Sequence, residues 1–214
     1  MLIKNIQMRW YLPNKSIQFA PEFIPKVSAN EVKDLIEAGY SRTGDAEDIG
    51  KRYNLTLDKQ LSNANHKIFI DKERNPTVVF RGSKNENDLM TDVLLGAGLE
   101  KYSTRFRDSK KLIEDVRKKY HNKPITSASH SLGGSLSEYA GGDKIITVNK
   151  GVGIGGIGKQ LKPNQIDIRT NNDIVSLLSK TQSGSKKINI KTNHISPLSE
   201  HSHKNLSKLN NKIL

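Results

Sequence analysis

Between residues 67 and 191, short β-rich runs alternate with helical or long crossover segments, and this alternation limits the possible architectures more firmly than any other property of the chain. Residues 67–71 and 77–80 are apolar, extended-type runs around the turn-like Glu73-Arg74-Asn75-Pro76, so they read as a hairpin. Residues 110–120 carry Leu112, Ile113, Val116 and Tyr120 at helical spacing, and Lys123-Pro124 stops that helix before a strand at 125–129. A second helix follows at 132–140. Strands are expected at 144–149, after the Gly141-Gly142 break, at 165–169 and, more weakly, at 187–191. Strands joined by helices or long crossovers run parallel and bury both faces. The expected fold class is therefore α/β, with a mostly parallel central sheet flanked by helices.

The 214 residues, 34% of them hydrophobic, suffice for one domain with a sizeable core but not for two large ones. Residues 1–27 hold Pro13, Pro21 and Pro25 among isolated apolar residues, which suits an extended N-terminal arm lying over a single domain at 28–214. Within that arm, Met8-Arg9-Trp10-Tyr11-Leu12 reads as a hydrophobic plug, with an interfacial anchor or a nucleic-acid contact as the alternatives. Ser28 and Glu31 form a capping box, and Val32, Leu35 and Ile36 then give a short amphipathic helix to about Ala38. Residues 201–214 are polar and basic around Leu206, Leu209, Ile213 and Leu214, so this segment is either a docked helix or a frayed tail.

With no cysteine, disulfides, thiolate metal sites and a cysteine nucleophile are all excluded. Any nucleophile is an oxygen or an amine. No apolar run reaches the roughly 18–20 residues of a membrane span, and residues 1–6 lack the apolar stretch of a secretion signal, so a soluble chain is expected. Thirty-five Lys+Arg against 22 Asp+Glu give a net charge of +13, a field that draws nucleic acid, anionic lipid or acidic partners. The lysines are scattered from Lys4 to Lys212 and accompany abundant Asn and Ile, the coding signature of an AT-rich genome. No specific nucleic-acid surface is predicted from such scatter. An anionic membrane surface remains a candidate partner.

The most informative segment is Ile125-Thr126-Ser127-Ala128-Ser129-His130-Ser131-Leu132-Gly133-Gly134, in which a strand runs into small residues around a serine before a helix begins. In a nucleophile elbow of spelling G-x-S-x-G, small flanking residues let strand and helix approach while the serine is pushed out of the sheet. Ser131 takes that place, and Ser129 stands where the first glycine is usual. A plain helix cap around the same serine is the competing reading. An alcohol is barely ionised at neutral pH, so Ser131 as nucleophile needs an imidazole within reach, and the imidazole needs a carboxylate to fix its tautomer. The first backbone N–H of the following helix, that of Leu132, is placed to donate to an oxyanion.

Three motifs in order, Phe80-Arg81-Gly82-Ser83 followed by Asp88 and Asp92, then Ser129-His130-Ser131-Leu132-Gly133-Gly134, then Asn172-Asp173-Ile174-Val175, resemble the class 3 (fungal-type) lipase family over roughly residues 66–205. That resemblance implies an α/β-hydrolase using Ser131 as nucleophile, Asp173 as the acid of a triad and a late histidine as base, with Ser83 as a second oxyanion donor beside Leu132. Among the late histidines the resemblance favours His201, whose His-Ser-x-x-Asn-hydrophobic context is similar to compact relatives, ahead of His203 and His194. His130 belongs to the elbow and is not nominated. No cofactor is implied. Size and AT-rich composition are similar to lipase-like proteins of large DNA viruses and their satellites, which implies a viral protein in the host cytoplasm or virion and a role in breaching a membrane.

Residues 87–95 place Leu89, Met90, Val93 and Leu94 on one helical face before Gly96-Ala97-Gly98-Leu99, so 84–99 reads as a lid over the site or as an ordinary core helix. Gly153-Ile154-Gly155-Gly156-Ile157-Gly158-Lys159 spells a phosphate-binding loop, but Gln160 replaces the required Ser or Thr and Pro163 leaves no room for a long helix. These glycines read instead as a mobile loop near the pocket. Metal binding by His194, His201 and His203 lacks a matched carboxylate spacing and is not expected. Two functions follow: a carboxylic-ester hydrolase acting on triacylglycerol or phospholipid, or a non-catalytic basic α/β scaffold that binds membrane, nucleic acid or a virion component.

Overall fold

The computed structural model describes residues 24–83 and 103–214. The plug at 8–12, nearly all of the arm and the segment 84–99 therefore lie outside the described residues. Among the described residues seven strands form one sheet whose spatial order follows the chain: β1 (Thr56–Leu57), β2 (His66–Ile70), β3 (Pro76–Phe80), β4 (Thr126–His130), β5 (Lys144–Val148), β6 (Gln165–Thr170) and β7 (Lys186–Ile190). The β1–β2 and β2–β3 pairs are antiparallel, the latter being the expected hairpin with His66 opposite Phe80. All pairs from β3 to β7 are parallel. The mostly parallel α/β sheet is thus present.

Among the described residues there are five α-helices, α1 (Ala29–Tyr40), α2 (Thr43–Lys51), α3 (Ser103–Lys119), α4 (Leu132–Ala140) and α5 (Pro197–His201), of which α1, α3 and α4 pack on the two faces of the sheet. Strand alternation decides which side chains meet which helix. Ile68, Val78 and Phe80 pack with Leu112, Ile113 and Val116 of α3 and Leu136 of α4, while their neighbours Phe69 and Val79 meet Leu35, Ala38 and Ala46 on the other side. On that second face Ala128, Ile146, Ile168 and Ile188 pack against Val32 and Ile36 of α1 and against Leu206. Among the described residues no helix is long and apolar enough to cross a membrane.

The Ser28 hydroxyl accepts from the Glu31 N–H at 3.1 Å, so the capping box forms and α1 runs two residues past its expected end. Helix α3, Ser103–Lys119, begins seven residues ahead of its expected start at residue 110. Helix α2 and the two-residue β1 have no counterpart in the sequence reading. The buried positions of α2 are Ala46 and Gly50, too small to write an apolar stripe, and Gly50 lies where a Cβ would come within 3.0 Å of the Phe69 ring. The terminal segment is docked: a 3-10 helix, His203–Leu209, packs on α1, and Leu214 donates its N–H to Val27 at 2.9 Å.

Asp58 ties the antiparallel edge to the end of α3. Its carboxylate accepts from Gln60 and Leu61 N–H groups at 3.0 and 3.2 Å, from Lys119 Nζ at 2.9 Å and from the Tyr120 hydroxyl at 2.6 Å. Burial alone would raise this carboxyl, but the bonds from Lys119 and Tyr120 outweigh it and hold it below the ordinary 3.8. A folded-state pKa held down contributes stability above the unfolded value, and that stability is lost as pH falls through the folded value. Denaturant unfolding should therefore show Asp58→Asn less stable at neutral pH by about 2 kcal/mol, with a shallower loss of stability than the parent chain below about pH 4.

Candidate active site

Strand β4 ends at His130, and Ser131 turns the chain into α4 with φ 60° and ψ −131°. A serine in this region costs of the order of 1–3 kcal/mol, so its surroundings must impose it. They do so from both sides. The Ser131 N–H is fixed to the Val148 carbonyl of the neighbouring strand at 3.0 Å, and its own carbonyl accepts from Gly134 at 3.0 Å. A Cβ at Gly133 would lie 2.2 Å from the Phe80 carbonyl oxygen, so only glycine lets α4 pass the end of β3. Ser129, where glycine is usual, makes a hydrogen-bonded link instead: its hydroxyl accepts from the Phe80 N–H and from Ser137, each at 2.8 Å.

The expected residues come together here. His201 Nε2 lies 2.9 Å from Ser131 Oγ, and His201 Nδ1 lies 2.9 Å from Asp173 Oδ1. Asp173 follows β6, and its oxygens also accept from the N–H groups of Val175 at 3.3 Å and Ser176 at 2.9 Å. An ionised carboxylate only accepts, so Nδ1 carries the ring proton and Nε2 is bare toward the serine hydroxyl. Ser131, His201 and Asp173 are all buried. His203 and His194 are elsewhere: His203 pairs with Glu37 at 2.8 Å and stacks on Tyr40, while His194 bonds Asn205 at 3.0 Å.

The segment bearing His201 is fixed through its backbone. The His201 carbonyl accepts from Asn149 Nδ2 at 2.9 Å and from His130 Nε2 at 2.6 Å. Buried Glu200, one residue earlier, accepts from the Thr192 hydroxyl and from the His194 N–H at 2.9 Å, while its carbonyl accepts from the Thr170 hydroxyl at 2.6 Å. Because His130 Nε2 donates, its Nδ1 accepts from the Tyr40 hydroxyl at 3.3 Å, and Tyr40 in turn accepts from the Gly82 N–H at 3.2 Å. Burial, with His201 and His203 alongside, pushes the His130 pKa well below the ordinary histidine value, so the ring is neutral.

Gly82 packs against the elbow, since a Cβ there would reach the Tyr40 hydroxyl at 2.2 Å and Ser131 Cβ at 3.3 Å. That contact brings the turn carrying the half-buried Ser83 to the same end of the sheet as Leu132, the first residue of α4. The Leu132 N–H has no acceptor within its own helix. Sequence reasoning missed Tyr40, Asn149, Thr170 and Glu200. Only the Glu200-His201 adjacency offered a signal, an acid beside the favoured base. The glycine run forms a short 3-10 turn, Ile154–Gly156, rather than leading into a long helix.

Among solved structures, the chain is similar to the Lip2 lipase of Yarrowia lipolytica at 15% identity, over 83% of this chain and 85% of that one, with a TM-score of 0.54. A Rhizomucor miehei lipase in its propeptide complex aligns at 14% identity over 80% of this chain and 72% of that chain, with a TM-score of 0.46. A Penicillium cyclopium protein, the MDLA N225Q mutant form, aligns at 15% identity over 78% of each chain, with a TM-score of 0.48. No protein-family model and no curated protein matches the chain. The likeness to the Yarrowia enzyme gives this chain a lipase-like α/β-hydrolase fold.

The steric account of the elbow has a direct test. Gly133→Ala should lose about 3 kcal/mol or fail to fold, because its methyl meets the Phe80 carbonyl. Gly155→Ala, whose Cβ would meet nothing within 4 Å, should stay within about 0.5 kcal/mol of the parent in the same denaturant titration.

Proposed function

We propose that this chain is a serine carboxylic-ester hydrolase of the class 3 lipase type, with residues 28–214 working as one hydrolase domain on lipid esters. The observation that carries the reading is the unbroken line from Ser131 Oγ through His201 to Asp173, with both bonds at 2.9 Å. His201 accepts the Ser131 proton as Oγ attacks the ester carbonyl, and Asp173 holds the ring and stabilises the imidazolium that forms. The tetrahedral oxyanion is met by the Leu132 N–H and by Ser83, each donor of this kind lowering the barrier by about 3–4 kcal/mol. His201 then protonates the departing alcohol, leaving an acyl group on Ser131. A water activated by the same ring releases the acid. No cofactor enters. Support for lipid as the ester comes from the three-motif resemblance, together with the lipase fold.

A fluorophosphonate probe tests the nucleophile without needing the natural substrate. It should label the purified chain, and Ser131→Ala should not be labelled. With a p-nitrophenyl ester, Asp173→Asn should lower kcat by on the order of 10⁴-fold, and His201→Ala should be at least as damaging, whereas His194→Ala and His203→Ala should each stay within about threefold of the parent. Equal labelling of the Ser131→Ala chain would overturn the reading in favour of the non-catalytic scaffold.

A further inference from the structure

A cleft of about 730 Å³ opens between the start of α3, the side of α4 and the glycine turn after β5. Its volume is within the roughly 300–1,000 Å³ of small-molecule sites. It shares a wall with the elbow: Ser135, one helical turn beyond Ser131, donates its hydroxyl to the Gly151 carbonyl, and the Gly151 N–H donates to the Ser131 carbonyl at 3.3 Å. The phosphate-loop spelling at 153–159, which the ester chemistry leaves unused, lines this cleft.

The chemistry of the lining is specific. Arg107 is exposed and has no ion-pair partner among the described residues. Lys159 lies at the other side, 3.0 Å from Glu138, the one carboxylate lining the cleft among the described residues. Burial alone would raise the Glu138 carboxyl, but Lys150 at 2.5 Å and the bonds from Gln165 and Lys159 hold it below the ordinary value. Lys150 also pairs with Asp167 at 2.9 Å, so Lys150 and Lys159 together balance Glu138 and Asp167, and the cationic surplus of the cleft is Arg107. Gln182 is 2% exposed, with Nε2 bound to the Gly156 carbonyl at 2.9 Å and Oε1 without a partner among the described residues. A buried acceptor of this kind takes its donor from an ordered water or from a ligand. The Tyr139 ring, held edge-on by Phe106 at 5.3 Å, supplies a fixed aromatic side.

We propose that this cleft binds a phosphate ester bearing free hydroxyls, with Arg107 and Lys159 on the phosphate and Gln182 Oε1 on a hydroxyl. A nucleoside triphosphate does not fit, because the turn leads into no long helix and Gln160 follows the lysine. Two sources carry the fitting chemistry, a hydroxylated phospholipid headgroup and a free polyol phosphate. With the lipid source, and resting on the hydrolase reading above, the cleft is the headgroup subsite of that enzyme and its substrate class is anionic phospholipid rather than triacylglycerol.

The test uses the full chain carrying Ser131→Ala, so binding is read without turnover. Flotation with phosphatidylglycerol and phosphatidylcholine vesicles probes the lipid source, and calorimetry with glycerol 3-phosphate probes the free one. Gly155→Phe fills the cleft without changing charge, starting from a Cβ that meets nothing within 4 Å. Arg107→Gln removes the unpaired cation, and Arg42→Gln, at another exposed position, removes the same charge elsewhere. Binding to one of the two probes should weaken at least tenfold in Gly155→Phe and Arg107→Gln and less than twofold in Arg42→Gln; the probe that responds identifies the source. Should Gly155→Phe melt early, the contrast between Arg107→Gln and Arg42→Gln decides by itself. Binding of neither probe, or equal weakening by Arg107→Gln and Arg42→Gln, overturns the proposal. Fluorophosphonate labelling of the parent chain reports on the hydrolase reading independently of either result.

Discussion

Everything around Ser131 at the C-terminal end of the sheet depends on how closely α4 can approach the end of β3. Gly133 has no side chain because the Phe80 carbonyl occupies the space a methyl would need. That close pass holds Ser131 at a positive φ, which a serine would not adopt in a relaxed turn. Once the bend is imposed, the hydroxyl stands at the C-terminal ends of the parallel strands, where β6 delivers Asp173 and the segment beyond β7 delivers His201. The strained residue and the strand order are two sides of one constraint.

The two faces of the sheet around that bend are built differently. Toward α1 the packing is aliphatic, from Ala128, Ile146, Ile166 and Ile168. Toward α4 the same strands present polar groups: Ser127 and Ser129 meet Ser137, Thr147 bonds Asp167, and buried Lys150 lies 2.9 Å from Asp167. Small hydroxyls allow a short helix to lie close on the sheet while still satisfying one another's hydrogen bonds. A buried ion pair adds little net stability over an apolar pair of the same shape, though loss of one partner is costly. Its evident effect here is positional: Lys150 is shared between Asp167 under α4 and Glu138 at the edge of the cleft beside the elbow.

Features set by neighbouring residues were legible in the sequence. Ser28 and Glu31 announce α1 and the turn at 73–76 announces the hairpin, because each is enforced within a few positions, while the small residues around Ser131 announce the elbow by leaving room for the distant Phe80 and Val148 that impose it. Asp173 and His201 were visible through the resemblance, and the structure brings both to Ser131. Helix α2 was not legible, since Ala46 and Gly50 bury too little surface to leave an apolar period. Tyr40 was invisible for another reason: it sits 90 positions from the His130 ring it bonds, and no local pattern encodes a contact made only when α1 docks on the sheet.

The hydrogen bonds through His130 have a direction. Gly82 gives to Tyr40, Tyr40 gives to Nδ1, and Nε2 gives to the backbone of His201, so one neutral ring sets the sense of this chain of bonds. A second proton on that ring would turn its accepting edge into a giving one, and the phenol would have to swing its own hydrogen elsewhere and accept from both the ring and Gly82. The Nε2 bond to the backbone of His201 would keep its direction, so the rearrangement would fall on the side that carries Ser83. Burial of His130 disfavours that proton and so preserves the present sense of the chain.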